Sequence, residues 1–379
     1  MDILLGYEIG TGAEVRIPLR HTAIFGMTQL SGKTTALEAI ITRSGLRAVA
    51  FITKRGEAGF KSGNPIIPFY RPRADWQFVE SLVNVALNER VKYEPGMRSA
   101  IMRACRKATG LDEIRREALH LAAMSKGEFM KSVFERLVAY LDIVVPELAR
   151  YTFSTSLDLK TGVNVMALAD MRAETQQLVI ASCIEEINRV LDHVIVVVPE
   201  AWEMLPQSRL TPVKWVAQQF IRKGAALGNF MFLDSQDIGG IDKTPLRQVD
   251  NWLLGRMREA HEVERFSKQV LGAKIPADEV QTLKVGHFIA VLGDQVKRVY
   301  VLPAGVPEDM GIKVAKGQMT VEEVSQAMMA CDPHVHSLNG VPVDDYFRPV
   351  QVPVIPLPRL LELRLEKLEK EVANLERKG

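Results

Sequence analysis

The segment Phe25-Gly26-Met27-Thr28-Gln29-Leu30-Ser31-Gly32-Lys33-Thr34-Thr35 puts glycines, hydroxyl side chains and a lysine at a spacing suited to holding a polyphosphate. Its flanks agree. His21-Thr22-Ala23-Ile24-Phe25 is a short β-prone run, and Thr34-Thr35-Ala36-Leu37-Glu38-Ala39-Ile40-Ile41 continues with apolar residues at helical spacing, so a strand, a tight turn and a helix N-terminus are expected. Backbone N–H groups of such a loop point at the anion, Lys33 neutralises the β- and γ-phosphates, and the Thr34 hydroxyl ligates Mg²⁺. The helix dipole adds to the pull. The expected nucleotide contacts are Gly26, Thr28, Ser31, Gly32, Lys33, Thr34 and Thr35. The usual pattern G-x-x-x-x-G-K-[ST] calls for glycine where Met27 stands, and Gly26 lies one residue early, which predicts a loop one residue longer than the norm. The alternative reading of the same residues is an ordinary strand-to-helix turn.

Three further strand ends carry polar or charged groups. His193-Val194-Ile195-Val196-Val197-Val198-Pro199-Glu200 has five consecutive aliphatic residues, as expected of a strand buried on both faces. An acid at its C-terminal end falls beside the phosphate loop of a doubly wound sheet, where Glu200 could polarise a water against the γ-phosphate. Pro199-Glu200-Ala201-Trp202 also reads as the start of a helix, and both readings can hold together. Asn229-Phe230-Met231-Phe232-Leu233-Asp234 is followed by Ser235-Gln236-Asp237; a polar side chain at that tip can sense the γ-phosphate or hold the attacking water. The strand candidate Ala48-Val49-Ala50-Phe51-Ile52-Thr53 ends in Lys54-Arg55-Gly56-Glu57, at the ligand edge of a parallel sheet or in a solvated turn.

These segments need a scaffold, and composition supplies one. With 379 residues and 47% hydrophobic content the chain can build one large α/β domain with an insertion, or two domains. A formal net charge of only +2 means that any nucleic-acid surface is local. Cys105, Cys183 and Cys331 are too few and too scattered for a disulfide framework or a zinc site, and His334 and His336 lack a third ligand. The N-terminus has no signal-peptide pattern, and no apolar run approaches the roughly 18 residues of a spanning helix. A cytoplasmic protein without membrane insertion is expected.

Along the chain, residues 3–17 alternate like a hairpin turning at Gly10-Thr11-Gly12, a β lead-in over residues 1–20. Residues 75–159 change to helical periodicity and include Arg90, Lys92, Arg98, Arg103, Arg106, Lys107, Arg115 and Arg116, a helical insertion whose cationic face could track phosphates or simply be solvated. Strand character returns at Gly162-Val163-Asn164-Val165-Met166-Ala167-Leu168, before an amphipathic helix over residues 174–191. Asn251-Trp252-Leu253-Leu254-Gly255-Arg256-Met257-Arg258 is followed by a helical stretch and by strand candidates at 287–292 and 296–302. The alternation predicts a mainly parallel sheet covered on both faces.

In this order the parts resemble the HerA/FtsK branch of the P-loop ATPases, ring-forming motors that move duplex DNA, and look closest to archaeal and viral HerA-like ATPases. The resemblance rests on the loop 26–34, the run 162–168, Ile195-Val196-Val197-Val198-Pro199-Glu200-Ala201, Phe232-Leu233-Asp234-Ser235-Gln236 and Leu253-Leu254-Gly255-Arg256. It covers residues 20–60 and 160–305, and Ser31 to Thr34 and Glu200 are its most specific matches. It implies a P-loop NTPase core of RecA/ASCE-like α/β fold over residues 21–74 and 160–305, interrupted by the helical insertion at 75–159. It also implies ATP and Mg²⁺ as ligands, double-stranded DNA as partner and a homo-oligomer, with a hexamer the expected form. Carried over residue by residue, it makes Lys33 and Thr34 the phosphate and Mg²⁺ contacts, Glu200 the catalytic base, Gln236 the sensor, and Arg256 an arginine finger acting on a neighbouring subunit, with Arg258 the competitor for that role. Pairing of Arg256 with Asp250 or Glu259 at the sheet edge is the other reading.

Two departures qualify it. The family usually has aspartate where Pro199 stands, orienting the water shell of magnesium; proline supplies no ligand, so slower turnover is expected, with Glu200 or Asp234 as substitutes. The short N-terminus is expected to leave no room for the β-barrel that precedes the motor in full-length HerA proteins. Beyond a C-terminal extension at 306–340, residues 341–358 read as a proline-rich linker, and Leu361, Leu365, Leu368, Val372 and Leu375 give residues 359–379 a short coiled-coil-like seam for a partner protein or neighbouring subunits. The expected function is an ATP-driven ring motor translocating or processing double-stranded DNA; the rival is a nucleotide-binding assembly ATPase of a secretion or pilus machine with weak or no hydrolysis.

Overall fold

A computed structural model describes residues 2–331 except 29, 57–58, 61–62, 88–93 and 271–274, together with two short strands at Ser337–Leu338 and Val341–Pro342. Residues 343–358 of the proline-rich linker, the 359–379 seam, His334, His336, Arg90 and Lys92 lie outside the described residues. The chain forms the strands β1 (Asp2–Glu8), β2 (Glu14–Pro18), β3 (Thr22–Phe25), β4 (Arg47–Ile52), β5 (Asn64–Ile66), β6 (Gly162–Ala167), β7 (Val194–Val198), β8 (Phe230–Ser235), β9 (Asn251–Leu254), β10 (His287–Leu292) and β11 (Gln295–Val301). All eleven join one sheet in the order β2-β1-β11-β10-β9-β3-β8-β7-β4-β6-β5.

The sheet has two halves. From β9 to β5 every neighbouring pair is parallel; from β9 through β10, β11 and β1 to β2 every pair is antiparallel. Six of the ten pairs are parallel, as the sequence reading of a mainly parallel sheet expects, and they form the half that carries the phosphate loop. The N-terminal hairpin is more than a lead-in. Through β1 on β11 it forms the far end of the same sheet, with Gly6 opposite Val301.

Alternation along the strands divides the core. Phe25, Val49, Phe51, Val196, Val198, Leu233 and Leu254 face one side, whereas Ile24, Ala48, Ala50, Ile195, Val197, Phe232 and Leu253 face the other, all buried. A strand with both faces covered favours apolar residues at successive positions, which is why β7 reads as an unbroken aliphatic run. The second face is covered by α1 (Lys33–Ser44), whose Ala36, Leu37, Ile40 and Ile41 recur at helical spacing. The first shares a continuous apolar core with α2 (Trp76–Leu87), α3 (Met97–Ala104), α4 (Leu111–Met124), α5 (Glu128–Leu148), α6 (Ala173–Val190), the short α7 (Ala201–Met204) and α8 (Pro212–Lys223). After α9 (Lys243–Leu246), α10 (Ala260–Val270) and α11 (Ala277–Gln281), the helices α12 (Glu308–Ala315) and α13 (Val321–Cys331) pack on a small cluster around Tyr7 and Tyr300.

Residues 76–148 carry four helices and, among the described residues, no strand. Their basic side chains are largely engaged. Arg98 pairs with Glu80, Arg115 with Asp142 and Arg116 with Asp112, and the Arg103 guanidinium lies 5.2 Å from the Phe134 ring centroid. Arg106 and Lys107 are exposed without an ion pair among the described residues. No described helix is long and apolar enough to cross a membrane.

Candidate nucleotide-binding site

The phosphate loop leaves β3 at Phe25 and enters α1 at Lys33. Gly26 at φ 152° and Gly32 at φ 78° both occupy backbone conformations that L side chains rarely adopt. A Cβ on Gly26 would come within 2.8 Å of Ser31 Cβ and Oγ. The loop is closed by the buried Ser31, whose hydroxyl donates to the Met27 carbonyl at 2.7 Å. It is pinned on three sides: Gly26 N–H donates to Ser235 O of β8, Met27 N–H to Arg256 O beyond β9, and Gly286 N–H to Ser31 O. Gly255 makes that approach possible, since a Cβ there would lie 2.8 Å from Ser31 Cβ and 2.9 Å from Phe288 Cε1.

Lys33 is buried and folded back into the loop, donating to the Gly26 carbonyl at 2.7 Å and lying 3.3 Å from Asp234 Oδ1. Thr34 is half-buried and Thr35 exposed in the first turn of α1, and Thr28 is exposed on the loop. No acid in that turn opposes an incoming anion.

β8 lies between β3 and β7, so the residues that follow β7 and β8 sit at neighbouring strand ends next to the loop. Glu200 follows β7 and forms the N-cap of α7 in the left-handed region, φ 43° and ψ 56°. A non-glycine residue there is uncommon, and it is held by three donors. Lys54 Nζ lies 2.5 Å from Oε1, Gln236 Nε2 donates to Oε1 at 3.3 Å, and Trp202 Nε1 donates to Oε2 at 3.0 Å. Burial pushes the Glu200 carboxyl up, but the hydrogen bond and charge of Lys54, the Trp202 N–H and the charge of Lys33 outweigh it and hold the group below its ordinary range. Asp234 behaves in the opposite way. Burial raises its pKa against the charge of Lys33, and the nearby Glu200 charge raises it further.

The structure thus gathers Lys33, Glu200 and Gln236 at one end of the parallel strands. Arg256 joins them through its main chain; its side chain is exposed and pairs with neither Asp250 nor Glu259. Arg258 is exposed and offers its carbonyl to Gln281. Sequence reasoning left three contributors without a role: Lys54, seen only as a ligand-edge charge; Trp202; and Gln176, whose amide donates to the carbonyls of Thr53, Leu168 and Met171 and so fixes the ends of β4 and β6. The polar Gln176 inside an otherwise apolar helix face was the available signal.

No family model and no curated protein matches the chain. Solved structures do. VirB4 of Thermoanaerobacter pseudethanolicus superposes with a TM-score of 0.57 at 12% identity over 80% of this chain and 96% of that one. The genome packaging NTPase B204 from Sulfolobus turreted icosahedral virus 2 gives 0.40 at 13% identity over 75% of this chain and 98% of that one. EssC (ATPases 2 and 3) from Geobacillus thermodenitrificans gives 0.36 at 11% identity over 87% and 49%. The likeness to VirB4 is one of fold: this chain shares with that structure an α/β architecture in which a large, mostly parallel sheet is covered by helices.

Proposed function

We propose that the protein is an Mg²⁺-dependent ATPase of the HerA/FtsK type that works as a ring, a hexamer in the expected form, on double-stranded DNA. The observation that carries the catalytic part is the Gln236–Glu200 contact beside the phosphate loop. It supports a division of labour in which the loop amides and Lys33 bind the triphosphate, Glu200 accepts a proton from the attacking water, and Gln236 orients that water. Mg²⁺, when bound, draws negative charge from the phosphate oxygens. Thr34 fits as its protein ligand, because its hydroxyl opens α1 without a hydrogen-bond partner among the described residues.

A second reading is an assembly ATPase of a secretion-type machine in which nucleotide binding organises subunits and hydrolysis is residual. Pro199 and the tight Lys54–Glu200 pair favour it, since one removes a carboxylate and the other occupies the base. The engagement of Arg98, Arg103, Arg115 and Arg116 also leaves less of the helical insertion for DNA phosphates.

ATP hydrolysis with Mg²⁺, with and without duplex DNA, tests both. For the motor, DNA raises the rate, Lys33→Ala abolishes nucleotide binding, and Glu200→Gln retains binding while losing about 10²–10⁴-fold in turnover. A wild type that binds ATP but hydrolyses it no faster than Glu200→Gln transfers the conclusion to the assembly reading.

A further inference from the structure

The acid missing after β7 has a counterpart on β8. Pro199 offers no oxygen to an ion, and Glu200 beside it has both carboxylate oxygens engaged by Lys54, Gln236 and Trp202. Asp234 differs. It is level with Ile24 in the parallel β3–β8 register, one strand residue before the phosphate loop begins. Its side chain retains 20% exposure, yet Oδ1 is shut off from solvent and has no well-aligned hydrogen-bond partner among the described residues. The Lys33 ammonium is close enough, at 3.3 Å, for a charge contact. A buried oxygen left without a hydrogen bond is costly and calls for a physical reason.

The reason follows from what Lys33 does when a triphosphate enters. Its ammonium then turns to the phosphates, and Asp234 is left as a buried carboxylate facing additional negative charge. A cation at that point restores balance while the carboxylate stays ionised. Mg²⁺ suits it, because the ion keeps several waters and needs one or two carboxylates beside the phosphate oxygens. We propose that Asp234 is the carboxylate that anchors the hydrated Mg²⁺ of the bound nucleotide, replacing from β8 the acid absent at Pro199. This rests on the ATP-binding reading above and specifies the metal half of that site.

Binding of ATPγS in Mg²⁺ and in EDTA, by calorimetry on the full chain, separates the two claims. Wild type binds more tightly in Mg²⁺. Asp234→Asn loses about 10–100-fold of that metal-dependent gain, while its affinity in EDTA is unchanged or higher, because a negative charge beside the phosphates has gone. Glu200→Gln keeps the gain. A general folding defect would weaken binding under both conditions and cannot produce this crossing. Wild-type metal dependence in Asp234→Asn, or its loss in Glu200→Gln, overturns the assignment. No ATPγS binding by wild type under either condition removes the ATP-binding reading itself. A measurement without any variant stands beside it: Fe²⁺ substituted for Mg²⁺ with ATPγS, then ascorbate and peroxide, cuts the backbone near the metal. Cleavage at 234–235 supports Asp234, and cleavage confined to 33–34 and 199–200 overturns it.

Discussion

Glu200 is fixed by donors from three separate segments, and the strongest of them, Lys54, sits on the loop after β4. Their sum lowers the carboxyl pKa from its ordinary 4.5, so the folded state prefers the ionised form. A carboxylate with a lowered folded pKa contributes stability that is fully present above its unfolded value and is lost as pH falls through the folded one. Lys54→Met should therefore destabilise the protein at neutral pH by about 1 kcal/mol, a modest figure because the lysine is half-exposed. Paired urea denaturation of wild type and variant should show the difference at pH 7, shrinking as the pH is lowered through and below the carboxylate range. A constant difference across that range would mean that Lys54 acts through packing. Sequence pattern placed Lys54 and Glu200 at the ligand edge, because charged residues after apolar strands stand out. It did not pair them, since the contact spans 146 positions and no local spacing encodes it.

At the scale of elements, the phosphate loop depends on a neighbour that local pattern barely announces. β9 is only Asn251–Leu254, parallel to β3, and the backbone just after it accepts from Met27 and donates to Phe25. Gly255→Ala would drive a Cβ into Ser31 and Phe288, costing about 1–3 kcal/mol as overpacking. The prediction is a lower melting temperature together with weaker ATPγS binding, because the strain must be relieved on the loop side or on the strand side. Unchanged nucleotide affinity would show that β10 yields instead. The elements with a clear apolar pattern are legible: β3, β4, β6, β7 and β8 as apolar runs, and α1 and α6 as helices. The antiparallel half is less so. β10 and β11 read as strands, but their direction and the docking of β1 on β11 depend on pairings across nearly the whole chain. The clearest omission in the site is the contact between Lys33 and Asp234. The sequence marked Asp234 only as a substitute acid, and the register that sets it level with Ile24 is a tertiary fact.

For the whole molecule, the question is whether one chain contains a complete site. Arg256 anchors the loop through its carbonyl while its side chain is exposed and free of any ion pair among the described residues. That combination suits a residue whose charge serves a neighbouring subunit and whose position reports on the loop of its own. If Arg256 stabilises the transferring phosphate in trans, Arg256→Ala should bind ATP normally and lose about 10³-fold or more in hydrolysis. Lys33→Ala is inactive for the complementary reason, as it retains the arginine but not the phosphate site. Mixing the two inactive variants then creates interfaces at which an intact loop from one subunit meets an intact arginine from the other. Partial recovery of hydrolysis on mixing is the expected outcome, and its dependence on protein concentration should follow assembly measured by light scattering. An Arg256 acting within its own chain predicts no recovery at any ratio, and the site would then be complete in each subunit.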